Sequence, residues 1–247
     1  FSQDLRLYVS LMPFLFVLIF LGFAAPSAHA DPSQLPLISS TSTEEQLSAL
    51  GRIRNWRAGK GGCAGVLIAP SLVLTAAHCV VGQRDSSFIF DPATLPNFKR
   101  IGILESIVHP DFEGKEDIAK LYSDLAVVVL GKDAPKDYAA PNPIGPQAEP
   151  GMSFSIYGFL GPENPPMQGH PECQIVRVSP GVLGSNCVVG PGMSGSPLLA
   201  GRAPDLSVVG IIVAVLDQEL QGVRTFIAEI DHSLLPRDLY ATELSSQ

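Results

Sequence analysis

The sequence predicts an all-β protein of closed or sandwiched sheets, and three observations carry that expectation. From about Gly51 onward the apolar residues come in short runs punctuated by Gly, Pro, Asp and Asn, the pattern of many short strands. The same stretch lacks the 3.6-residue apolar period of long amphipathic helices. A proline-rich break, Pro135, Pro141, Pro143, Pro146 and Pro150, then divides the chain into two halves, each long enough for a compact β-barrel.

Taken in order, residues 1–30 read as an export signal. Arg6 precedes an apolar run from Leu11 to Ala25, and Ala28 and Ala30 supply the small residues that a signal peptidase requires, so cleavage is expected after Ala30. Pro13 interrupts the run and leaves it short for a membrane span. Once the signal is cut, no stable membrane association is expected, and the location is secreted or periplasmic. Residues 31–50, rich in Ser, Thr, Pro and Glu, read as a leader or propeptide.

Strands are expected at Ala64–Ala69, Leu72–Thr75, Ile103–Val108 and Leu125–Leu130 in the first half. In the second they are expected at Met152–Tyr157, Gln174–Val178, Pro197–Leu199, Val208–Val215 and Thr225–Ala228. The intended units are therefore 51–133, a linker at 134–150, 151–230, and a tail at 231–247. Within the tail, Leu235 to Glu243 predicts a short helix with Pro236 in its first turn.

The chain carries 16 Lys and Arg against 24 Asp and Glu, a net charge of −8. Loss of residues 1–30 removes one acid, Asp4, and one base, Arg6, and leaves that charge unchanged. Nucleic acid is excluded as a partner, since phosphate binding requires clustered cations. All four cysteines lie in the exported part, where an even number favours disulfides. Three pairings are formally possible, and local pairing gives Cys63–Cys79 and Cys173–Cys187. A metal site is not expected: the sequence has no CxxC, and His78 beside Cys79 is the one close His-Cys pair.

Three segments carry chemistry. Cys63 to Val80 reads as strand, turn, strand and a tight bend that delivers His78. Gly190 to Leu198 surrounds Ser194 with Gly192, Gly195 and Pro197, so a strained turn projects its hydroxyl. The same turn gathers backbone N–H groups, and those of Gly192 and Ser194 are the expected oxyanion donors. Between these, Asp124 opens an apolar strand, and a buried carboxylate there needs a partner such as an imidazole.

The blocks TAAHC, SDLAVVVL and GMSGSP, in the order His, Asp, Ser, resemble those of trypsin-like serine peptidases. More narrowly, the GxSGSP form resembles the bacterial secreted, glutamyl-endopeptidase-like branch. The resemblance covers roughly residues 51–230. It implies two six-stranded antiparallel β-barrels with the active site in the cleft between them, and a short C-terminal helix. It implies catalysis by His78, Asp124 and Ser194 on a protein or peptide substrate, without a cofactor.

The sequence also departs from that family. Met193 stands where trypsin has the Asp that pairs with a new N-terminus, so activation is expected to avoid that ion pair. The resemblance implies that Val188, six residues before Ser194, stands at the floor of the specificity pocket, where it offers no acid for Arg or Lys, so trypsin-type specificity is not expected. Val213 and Val215 line the same pocket, Val215 in place of the usual Gly, and Ile212 falls where glutamyl endopeptidases carry a His. A small or medium apolar residue before the cut is expected. The alternative from another class is a catalytically inert, protease-like binding domain. His109, His170 and His232 are assigned no chemistry.

Overall fold

The computed structural model describes residues 47–55, 62–82, 86–90, 100–114, 118–134, 142–161, 167–202 and 205–237. The expected signal, the leader up to residue 46, part of the linker and residues 238–243 of the expected terminal helix lie outside these. No helix among the described residues is long and apolar enough to cross a membrane.

Two closed antiparallel barrels make up the fold. The first contains β1 (Leu50–Asn55), β2 (Cys63–Ala69), β3 (Leu72–Thr75), β4 (Ser86–Phe90), β5 (Ile101–Val108) and β6 (Ala126–Leu130), hydrogen-bonded in the order β1-β2-β3-β6-β5-β4. The second contains β7 (Ser153–Gly158), β8 (Gln168–Ser179), β9 (Val182–Ser185), β10 (Pro197–Ala200), β11 (Ser207–Leu220) and β12 (Val223–Glu229), in the order β10-β11-β12-β9-β8-β7. β4 closes onto β1 and β7 onto β10, which leaves neither sheet an open edge.

The nine expected runs each fall on a strand. β1, β4 and β9 are additional, β8 begins six residues before the expected Gln174, and β11 runs on from Val215 to Leu220. The packed chain also begins earlier than the expected Gly51. Leu47, Ala49 and Leu50 are fully buried, and the Leu67 amide donates to the Ala49 carbonyl at 2.8 Å.

One apolar cluster runs from the first barrel (Val66, Leu74, Val127) into residues outside the second barrel's own core (Phe159, Leu199, Val213), and so joins the two. A second fills the interior of the second barrel with Ile156, Leu183, Ile212 and Ile227. The Arg52 guanidinium, on β1, lies 4.5 Å from the Phe159 ring beyond β7, a cation–π contact across the same boundary. The linker is stitched to both sides: Asn142 N–H donates to Leu67 O at 2.9 Å, and Gly145 N–H to Val208 O at 2.7 Å.

Cys63 and Cys79 are bonded with a Cα–Cα separation of 5.9 Å, and Cys173 and Cys187 with one of 5.4 Å. Each closes a short loop, which in the chain-entropy account stabilises the fold by about 3 kcal/mol.

Candidate active site

The register of β3 against β6 builds the first half of the site. Thr75 ends β3 opposite Ala126 at the start of β6, so the residues just after one strand meet those just before the other. Beyond β3 the chain tightens into a 3-10 turn at Ala77–Cys79 that presents His78, and the bond from Cys79 to Cys63 fixes it on β2. Before β6, Asp124 is held by its own N–H to Leu121 O at 3.2 Å and is fully buried.

Both oxygens of that carboxylate go to one residue. The His78 backbone N–H donates to Asp124 Oδ1 at 2.8 Å, and His78 Nδ1 lies 2.6 Å from Oδ2. A carboxylate only accepts, so the proton sits on Nδ1 and the Nε2 lone pair is left available. The His78 side chain is 15% exposed while Asp124 is closed to solvent, the arrangement of a base whose orienting acid is shielded.

The second half is the turn before β10. Its N–H groups run Met193 to Gly190 O, Ser196 to Met193 O and Gly195 to Ile212 O, at 3.2, 2.9 and 2.8 Å. Gly192 and Gly195 take φ of 100° and 82°, which side chains disfavour. Space forbids a side chain as well. A Cβ on Gly195 would lie 2.1 Å from Ala64 O and one on Gly192 2.6 Å from Phe159 O.

This turn belongs to the second barrel but is bonded to the first. Ala64 N–H donates to Ser194 O at 2.7 Å, and Thr75 Oγ1 donates to Ala64 O at 2.8 Å. Since Ala64 follows Cys63, and Cys63 is joined to the neighbour of His78, Ser194 is brought to the histidine's side of the cleft. Ser194 Oγ and His78 Nε2 share no hydrogen bond in this conformation; Cys79 Sγ lies 3.7 Å from Nε2. Among the described residues the amides of Gly192 and Ser194 donate to no protein acceptor.

Met193 is fully buried in the core of the second barrel with Ile212 and Ile156. Val188 is half-buried, Val213 is buried, and Val215 is 38% exposed. Thr225 organises two of them: it pairs with Val215, and its hydroxyl donates to Cys187 O, beside Val188, at 2.6 Å. Val213 falls at the irregularity of β11 between Ile212 and Ala214. Sequence reasoning missed Thr75, Phe159 and Thr225 as supports of the site; only Thr75 had a signal, as the first residue of TAAHC. Two groups of His and Cys ligand atoms lie close together, Cys63-His78-Cys79 and His170-Cys173-Cys187. Their sulfurs are tied in disulfides and offer no thiolate.

His109 departs from the expectation of an unremarkable loop histidine. It is buried, with Nε2 3.0 Å from Asp231 Oδ2 and Nδ1 accepting from the Asp111 N–H at 3.1 Å.

The comparisons with known proteins agree with this architecture. The family model described as Trypsin matches residues 40–234. Serine protease Hayan of Drosophila melanogaster is 33% identical over 78 residues, 29% of this chain and 12% of that protein, so the match spans a small part of that relative's length. Among solved structures, neuropsin, a serine protease expressed in the limbic system of mouse brain, superposes with a TM-score of 0.63 at 17% identity, over 85% of this chain and 98% of that one. A Glu endopeptidase in complex with MPD gives 0.64 at 16% identity, over 86% and 96%. At these identities the structural likeness is one of fold.

Proposed function

The chain belongs to the trypsin family, and from that membership we propose an exported serine endopeptidase that hydrolyses peptide bonds with His78, Asp124 and Ser194. The observation that carries the reading is the two-point hold of Asp124 on His78. It fixes the tautomer that leaves Nε2 basic on the side of the cleft where the Ser194 turn is bonded.

In the reaction Ser194 Oγ bonds to the scissile carbonyl carbon while its proton passes to His78 Nε2. The carbonyl electrons move to oxygen, and the N–H groups of Gly192 and Ser194 hold the resulting oxyanion, each worth about 3–4 kcal/mol. The C–N bond then breaks as His78 gives its proton to the leaving amine. Asp124 orients the imidazole and stabilises its charged form throughout. Water repeats the sequence on the acyl-enzyme, with His78 as base.

The pocket residues Val188, Val213 and Val215 offer no charge, so a small or medium apolar residue before the cut is preferred. A preference for Glu, as the name of the Glu endopeptidase implies for that protein, is not expected here. Ile212 is sunk in the barrel core and supplies no imidazole. Burial of Met193 among apolar side chains supports a nucleophile turn that is held by packing, with no role for an ion pair to a new N-terminus. Both disulfides suit a secreted or periplasmic enzyme acting on proteins or peptides.

The test is labelling of residues 31–247 with a fluorophosphonate probe, beside Ser194→Ala and a heat-denatured control, followed by a peptide library. Labelling that needs both the fold and Ser194 is the expected result. Its absence, even after trimming toward residue 47, would transfer the chain to the inert binding class. A library preference for Arg, Lys or Glu would overturn the pocket assignment.

A further inference from the structure

Arg52 is a buried charge that the proposed reaction leaves unused. It is 2% exposed, and an ion taken out of water is costly unless its neighbours compensate. An aliphatic side chain of similar volume often serves stability as well or better. A guanidinium at this position of β1 therefore calls for a use beyond filling space.

One neighbour shows what the charge holds. The guanidinium carbon lies 4.5 Å from the centroid of the Phe159 ring, a cation–π distance, and that ring is itself buried. Phe159 follows β7 of the second barrel, so its ring is gripped from the first.

Phe159 in turn lies directly under the turn that carries the oxyanion donors. A Cβ on Gly192 would meet Phe159 O at 2.6 Å and the Gly161 backbone nitrogen at 2.9 Å, and the Gly161 N–H donates to Pro191 O at 2.8 Å. Residues 159–161 are thus the floor on which the Gly192 peptide rests. Gly192, at φ of 100°, has no side chain with which to anchor itself, so its N–H is aimed by that floor. The second donor is reached through the backbone: Arg52 stands opposite Ala64 in the register of β1 and β2, and the Ala64 N–H holds Ser194 O at 2.7 Å. Each expected donor is one residue removed from Arg52, Gly192 through Phe159 and Ser194 through Ala64.

Resting on the serine peptidase reading above, we propose that Arg52 is a positioning residue for the oxyanion donors. Its cation clamps the Phe159 ring, and the clamped backbone of Phe159 aims the N–H of Gly192. Arg52 touches no substrate. The donors must meet the oxygen where its charge develops, and a misplacement of about an ångström costs about a hundredfold in rate.

The test is the concentration dependence of fluorophosphonate labelling of residues 31–247, which separates the limiting rate from the probe concentration at half that rate. It is run on wild type, Arg52→Met, Phe159→Leu and the double variant, with urea unfolding of each and rates counted per folded chain. Arg52→Gln, also neutral, replaces Arg52→Met if that variant does not fold. The neutral variant is expected to lower the limiting rate by about tenfold to a hundredfold with the half-rate concentration unchanged, because the phosphonyl oxygen draws on the donors as it reacts. Phe159→Leu should lose a similar factor, and the double variant no more than either single one, since both break the same contact. Leu130→Ala, which opens a cavity at the far end of β6, should lose stability and keep its limiting rate. A wild-type limiting rate in the neutral variant, a raised half-rate concentration with the limiting rate kept, losses that multiply in the double variant, or an equal loss in Leu130→Ala would each overturn the assignment while the peptidase reading stands. Folded wild type that does not label at all would remove both.

Discussion

Gly195→Ala isolates the geometry of the nucleophile turn. Gly195 has φ of 82°, and an added Cβ would sit 2.1 Å from Ala64 O and 2.5 Å from Thr75 Oγ1, against 3.4 Å or more for ordinary contact. Ala64 is unable to retreat freely, because its N–H holds Ser194 O and its carbonyl accepts Thr75 Oγ1. The left-handed backbone costs about 1–2 kcal/mol, and overpacking adds about 1–3 kcal/mol. A loss of about 2–5 kcal/mol is therefore expected, a large share of a typical domain's stability. Gly222→Ala is the matched control, with φ of 85° and open space where the Cβ would go, so that it carries the backbone cost alone. Urea unfolding measures the two stabilities, and the rate of fluorophosphonate labelling measures the displacement of Ser194, for which an ångström costs about a hundredfold. If Gly195→Ala matched Gly222→Ala in stability and wild type in labelling rate, the clash argument would be refuted.

Asp124→Asn should slow labelling by about ten-thousandfold, because the amide no longer selects the Nδ1–H tautomer; a rate near wild type would remove Asp124 from the mechanism. Replacing Cys63 and Cys79 by Ala should cost about 3 kcal/mol in chemical denaturation and also slow labelling, since that bond anchors the His78 turn. Removal of Cys173 and Cys187 should cost a similar amount with labelling kept, and equal kinetic losses would contradict this division. Asp231→Asn should lower stability at neutral pH. The carboxyl is held low in the fold, so its contribution is complete above the unfolded value of about 3.9 and is lost as pH falls through the folded one. The gap between variant and wild type in urea melts should therefore close in acid, and a gap that widened there would reverse the assignment.

The legible part of the fold was the part with local chemistry. β2, β6 and β10 are apolar throughout, as is β3 up to Thr75, and the three motif blocks sit on the bends at their ends, where Gly and short polar residues mark the turns. β1, with the sequence LGRIRN, and β9, with VLGS, carry no comparable run. They are strands because neighbours pair with them on both sides, a tertiary property that propensity does not record. The early part of β8 contains His170, Pro171 and Glu172 and reads as loop until β7 pairs with it. Within the site, His78, Asp124 and Ser194 stood out by type and context. Thr225 and Phe159 did not, since one acts through a single hydroxyl to a distant carbonyl and the other through its backbone oxygen. The His109–Asp231 pair spans 122 residues, beyond the reach of any local pattern.

The bond from Ala64 N–H to Ser194 O has a kinetic consequence. His78 and Asp124 belong wholly to the first barrel and are able to find each other when that barrel closes. Ser194 is delivered by the second, and its turn is locked only against β2. A chain with one barrel formed thus holds the His78–Asp124 pair without the Ser194 turn beside it. Barrel docking is a late, long-range event in a topology of this kind. Under the proposed triad, refolding followed by tryptophan emission and by probe labelling should show labelling emerging with the slowest phase, so that reactivity comes only with the completed fold.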